Sequence, residues 1–170
     1  DSLPKRIFPQ EKPLEAPVSV DVVGMETPMV ALGWRLPAKA DPQYGIMSVV
    51  QQILTNGKCG LFDENLNNAQ QVMQAMTFLD GMTDQSAFWA IGCPKEGQSL
   101  EEVRDLMLSQ VRLLAGGEWD ESLLKGILNN MKRRQLEDMQ SNEMRAHRFV
   151  DAFVSGQEWA DAVGEMQRLD

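Results

Sequence analysis

Histidine occurs once and cysteine twice in the 170 residues. A zinc site takes three or four ligands, at least two of them usually His or Cys, and the single His147 leaves that set short. Cys59 and Cys93 lie 34 residues apart, a spacing that suits neither a zinc knuckle nor a CxxC redox pair. Two buried thiols and a disulfide both stay open, so cysteine usage does not assign a compartment. Positive charge is also short, with 16 basic against 25 acidic residues and a net charge of −9. Such a chain repels phosphate backbones, which argues against nucleic acid as a partner. No apolar run approaches the ~20 residues of a membrane span, and the start has no secretory h-region. What remains is 43% hydrophobic and 24% charged, the balance of an ordinary globular domain. A chain of this length buries roughly 70% of its unfolded surface and needs no metal or disulfide to fold.

Along the chain, residues 1–17 hold four prolines among charged side chains. Proline fixes φ and removes a donor, so an extended linker is expected there, followed by one domain over 18–170. Val18, Val20 and Val22 alternate with polar residues at the period of a half-buried strand. A second strand is expected over Met29–Leu36, antiparallel to the first, with a turn at Gly24–Pro28. Asp41-Pro42 opens a helix as N-cap and N1, with Ile46, Val49, Val50 and Ile53 as its apolar stripe and Asn56-Gly57 as its stop. The Asn- and Gln-rich stretch that follows offers only Leu61, Phe62 and Leu66 for packing, and a short helix is expected near Leu61–Asn67. Strands follow at Val72–Leu79 and Ser86–Cys93. Ser99 and Glu102 then form a capping box, with Leu100, Val103, Met107, Val111 and Leu114 at helical spacing up to Gly116-Gly117. Asp120 caps a further helix whose face carries Leu124, Ile127, Leu128 and Met131. Another helix runs from Ser141 to Val154 and stops at Gly156, and a last one starts near Gln157. The order predicts an α+β fold, an antiparallel sheet with helices on one face.

Candidate chemistry is sparse. Glu143 and His147 share a helix face at i, i+4, but two ligands do not hold a metal, and an exposed histidine beside a carboxylate is the simpler reading. A serine or cysteine nucleophile would need His147 as its base. Cys59 follows Lys58 in a Gly-flanked loop, a setting that favours a thiolate, so a thiol enzyme using Cys59 with His147 stands as one candidate. The acid pairs Asp63-Glu64, Glu101-Glu102 and Asp120-Glu121 sit near helix starts, where capping and the helix dipole explain them. Gly57-Lys58-Cys59-Gly60 lacks the phosphate-loop pattern. Lys132-Arg133-Arg134 reads as a solvated helical turn, and the eleven methionines read mostly as core filler. On its residues alone the chain shows no catalytic, cofactor-binding or metal-binding set.

Order and spacing go further. Gly33-Trp34-Arg35-Leu36-Pro37, then Asp41-Pro42-Gln43-Tyr44, then a helix leading into Ile53-Leu54-Thr55-Asn56-Gly57-Lys58-Cys59-Gly60-Leu61-Phe62 resembles the second-domain unit of the insulinase/pitrilysin (M16) zinc metallopeptidases. The stretches Gly97–Val103 and Leu113–Glu121 also look like the family's charged helix, Gly stop and acidic start of the next helix. The resemblance spans about residues 18–170. It implies an α+β unit of the mitochondrial-processing-peptidase type, repeated in a longer chain whose units enclose a chamber. The family's catalytic unit carries zinc on an inverted His-x-x-Glu-His motif, and that motif is not in this chain. The resemblance therefore implies a non-catalytic, chamber-forming domain of a zinc-dependent metalloendopeptidase that degrades peptides, inactive alone and partnered by a catalytic domain of the same parent chain that holds the zinc. A start at Asp1 rather than Met fits a piece cut after such a catalytic unit. An end at Asp170 implies a domain truncated at its C-terminus. Comparable bacterial enzymes are often exported, which inclines the parent toward the periplasm. The family's substrate-contacting unit carries an Arg and a Tyr after the Leu-Phe pair. Here Asp63–Gln71 has neither, so no substrate-binding residue carries over. The alternative is a stand-alone protein-interaction or scaffold module of the same fold.

Overall fold

The computed structural model describes residues 12–164. Three antiparallel strands, β1 (Val30–Leu36), β2 (Gln74–Asp80) and β3 (Ser86–Cys93), form a sheet in the order β1-β3-β2. Trp34 stands opposite Phe88, and Phe78 opposite Trp89. The helices are α1 (Pro42–Leu54), α2 (Leu100–Ala115), α3 (Ser122–Gln140), α4 (Asn142–Ser155) and α5 (Trp159–Gly164), with a six-residue π-helix at Asp63–Asn68. This is the expected α+β arrangement.

Period-2 alternation decides which side chains of β3 go inward: Ser86, Phe88, Ala90 and Gly92 are buried, and the residues between them are half-buried. The inward face meets Val103 and Met107 of α2 and Leu54 of α1, all fully buried. Gly92 is where α2 lies closest to the sheet. A Cβ there would sit 2.5 Å from Val103 Cγ1 and 2.9 Å from Met107 Sδ, so only hydrogen fits. A second cluster joins Val49 and Ile53 of α1 to Ile127 of α3, flanked by Leu124, Leu128 and Met131.

The capping residues behave as their chemistry requires. Asp41 accepts from Gln43 N at 2.8 Å, with Pro42 in the first turn of α1. Ser99 and Glu102 make both bonds of the capping box. Asp120, expected to cap α3, instead stands one residue before its N-cap Glu121, which makes no side-chain capping bond, and Asp120 Oδ1 accepts from Ser122 N at 2.9 Å. Gly156 ends α4 in the left-handed conformation, which glycine adopts without a Cβ clash.

Several expectations are corrected. Residues 18–22 form no strand, and Val18, Val20 and Val22 are 73%, 76% and 87% exposed. Alternation makes a strand amphipathic, but its backbone groups still need a neighbouring strand. Met29–Leu36 starts one residue later, at Val30, and pairs with β3 instead. The strand expected at Val72–Leu79 runs Gln74–Asp80. The buried row of α1 is Gly45, Val49, Ile53 and Leu54, while Ile46 is 55% exposed. The helix is capped by Thr55, one residue before Asn56-Gly57. Methionine divides between core and surface, with Met107 buried but Met73, Met76, Met82 and Met144 exposed. The parts of the linker and last helix expected over 1–11 and 165–170 lie outside the described residues.

The Asn-rich stretch proves to be structural. Phe62 and Leu66 are the fully buried anchors of the segment. Asp63, read from sequence as a helix-start carboxylate, is itself buried, and its Oδ2 accepts from Asn56 N and Gly57 N at 2.8 Å and from Gly60 N at 3.2 Å. It thus closes the loop after α1 on itself. A Cβ on Gly60 would lie 2.5 Å from Leu54 O, so this tight closure also depends on glycine. Asn67 accepts from Ala75 N at 2.7 Å and donates to Ala75 O at 2.9 Å, imitating a strand partner for β2. Asn65 donates to Gln110 Oε1 at 2.7 Å, tying the π-helix to α2.

Candidate functional site

The residues with the chemistry for catalysis are not brought together. His147 lies on α4 with its side chain 72% exposed, and its Nε2 stands 4.0 Å from Glu143 Oε1. Its surroundings are an open cleft between α4 and α5 that includes Lys39 and Asp151. Cys59 lines a different cleft, between the loop after α1 and the start of α3. A thiol–imidazole pair needs hydrogen-bond contact, so the Cys59–His147 reading fails on geometry. Cys59 and Cys93 are each half-buried and unbridged. Among the described residues no group of three or more His, Cys, Asp or Glu could hold a metal. Tested against zinc, Glu143 with His147 offers two exposed ligands, too few to fit the ion.

Titration is displaced at two local surface contacts. The Arg104 guanidinium donates to Asp105 Oδ1 at 2.8 Å, which holds that carboxyl below its ordinary value. Hydrogen bonds from Ser122 do the same for Asp120. Both are the work of ion pairing and local hydrogen bonding.

A surface is assembled instead. The same alternation that sends Phe88 and Ala90 inward turns Trp89 and Ile91 to the other side of the sheet. There Phe78 stacks on Trp89 with ring centroids 6.4 Å apart and planes 20° apart. Met76 stands opposite Ile91 and Gly33 opposite Trp89. Trp89 lies directly over Gly33, whose missing side chain leaves room for the indole. Met76 and Phe78 remain 36% and 41% exposed. Arg35 bounds this face and donates through Nη1 to the Lys12 carbonyl at 3.1 Å. The result is an apolar sheet face with no helix of the described residues over it. Sequence reading missed it because a strand pattern with apolar residues on both faces looks the same whether the second face is covered or open.

α4 presents a second apolar area. Phe153 is 86% exposed, with Val150 and Val154 beside it, and Phe149 stacks on Trp159 at 3.9 Å. The Arg148–Asp138 ion pair at 2.8 Å and the Lys39–Asp151 pair hold α4 to α3 and to the loop before α1. No helix is long and apolar enough to cross a membrane among the described residues.

Comparison with known proteins places this architecture. A protease from Helicobacter pylori overlays with a TM-score of 0.77 at 21% identity, over 83% of this chain and 34% of that one. The chain thus spans about a third of that protein's length. The inactive peptidase domain of a candidate zinc protease from Bordetella parapertussis overlays at 0.71 and 14% identity, covering 83% of this chain and 76% of that one. A candidate zinc protease from Bordetella pertussis Tohama I gives 0.71 at 14%, covering 86% and 81%. Identities this low establish a shared fold and nothing finer. No curated protein matches in sequence. The family model of the peptidase M16 inactive domain, however, matches residues 2–131. The resemblance carried by the Gly33–Phe62 motifs is therefore real, and the chain belongs to the M16 peptidase inactive-domain family.

Proposed function

We propose that this domain forms one wall of the peptide chamber of a zinc-dependent metalloendopeptidase, with residues 1–17 as its connection and 18–170 as the domain proper. The zinc and the water-activating carboxylate belong in this reading to a catalytic domain of the same parent chain. The observation that supports it best is the open sheet face built from Met76, Phe78, Trp89 and Ile91, in a member of the inactive-domain family. An apolar surface of this kind marks a contact region rather than a solvated exterior, and it suits the side chains of an extended peptide. The exposed α4 residues Phe149, Val150 and Phe153 supply a separate surface on which a neighbouring domain can pack.

The test is metal content and hydrolysis of a quenched peptide pool by the purified chain after zinc loading, alone and with the catalytic domain of its parent. The expected result is neither retained zinc nor cleavage by the chain alone. In the combined sample, chelator-sensitive cleavage is expected to fall when Phe78→Asp is introduced into the open face. Stoichiometric zinc with cleavage by the isolated chain would overturn the reading. Cleavage by the catalytic domain that is indifferent to this chain would favour a separate interaction module.

A further inference from the structure

We infer that the cleft between the loop after α1 and the face of α3 binds a small multivalent oxyanion, a phosphate or a compact polycarboxylate. The cleft has a volume of about 200 Å³ and is lined by Lys58, Arg133 and Arg134, with no Asp or Glu among the described residues. In a chain whose acidic residues outnumber its basic ones by 25 to 16, that is a local reversal of sign. Like charges gathered in one concavity repel each other unless a counter-charge joins them. Arg133 Nε has only a long contact to Glu137 at 3.7 Å, on the exposed side of α3. The side chains of Lys58 and Arg134 make no hydrogen bond or ion pair among the described residues, and the Asn130 amide adds a neutral donor to the lining.

Gly126 is an independent observation. It lies in the interior of α3, where glycine is the least favoured residue after proline, and it too lines the cleft. A Cβ placed there would meet no atom within 4 Å, so packing within the chain does not demand glycine. Bare helix backbone at this point lets a ligand approach closely. Leu123 and Ile127 supply an apolar wall beside it, and a less hydrated wall strengthens the pull of the charges opposite. A guanidinium fork and an ammonium match the oxygens of a phosphate or carboxylate group. The volume is below the ~300 Å³ at which pockets for drug-sized ligands begin, which selects a small ion over a nucleotide.

The experiment is calorimetric titration of the chain with inorganic phosphate and with citrate, at ionic strength held constant with sodium chloride. One site per chain is expected for at least one of the two anions, and which of them binds decides between phosphate and polycarboxylate. Arg134→Gln is expected to weaken binding about tenfold or more, as loss of a charge-assisted bond does. Gly126→Ala separates binding from folding, because it should raise the thermal midpoint of the free chain while weakening the anion. The bound anion should also slow alkylation of Cys59 by iodoacetamide and leave Cys93 unaffected. Heats no larger than those of chloride, or affinities that Arg134→Gln and Gly126→Ala leave unchanged, would overturn the assignment.

Discussion

At the scale of the residue, Asp63 is a buried carboxylate that closes a loop on itself. Its carboxylate gathers three backbone donors within a loop that has no regular structure of its own. Asp63→Ala strands those donors beside a fully buried Phe62, and a loss of about 3 kcal/mol in urea unfolding is expected. Asp63→Asn keeps one acceptor oxygen and should lose less. Asp120 offers a test of sign. Hydrogen bonds from the Ser122 side chain and backbone lower its pKa from the ordinary 3.8, so the folded state favours the ionised carboxyl. That contribution is complete above the unfolded value and is lost as pH falls through the lower folded one. Carboxyl-detected NMR titration should show Asp120 protonating below 3.8, with Ser122→Ala moving it part of the way back.

At the scale of the element, helix ends and strand partners follow different rules. A helix satisfies its own backbone except at its ends, so local residues set where it begins. The capping box of α2 is a measurable case: Ser99→Ala and Glu102→Ala should each cost up to about 1 kcal/mol. Because the two bonds are reciprocal, the double variant should cost less than their sum. A strand has no such autonomy. Val18–Val22 alternates as well as β2 does, yet stays unpaired, while β1 and β2 find opposite edges of β3. The π-helix sits between these cases, held by side-chain bonds from Asn65 and Asn67 to α2 and β2. Asn67→Ala removes both bonds to Ala75 and should accelerate amide exchange at the start of β2.

At the scale of the whole molecule, the two faces of the sheet separate stability from contact. Phe88 is 4% exposed under the helices, and Phe88→Ala should cost about 3–5 kcal/mol by leaving a cavity. Phe78, on the opposite face and 41% exposed, touches chiefly Trp89. Phe78→Ser should change stability by about 1 kcal/mol or less in urea unfolding. Equal losses at the two positions would mean that the open face is part of the core, and the wall assignment would then lose its support.

Local order in the sequence determined where helices start, which strand residues go inward, and that the metal-ligand inventory is short. Ser99, Gly156 and the Phe88–Ala90 alternation each act within a few residues of themselves. The motifs from Gly33 to Phe62 also carried the family. What the tertiary structure alone decided was the partnering. It set β1 against β3 rather than beside Val18–Val22, and it turned Asp63 inward as a loop clasp. It left Met76 and Phe78 uncovered, and it placed Lys58 opposite Arg133 and Arg134 around one cleft. These depend on which surfaces meet across tens of residues, and nothing in a residue's own neighbourhood specifies what will lie over it once the chain has packed.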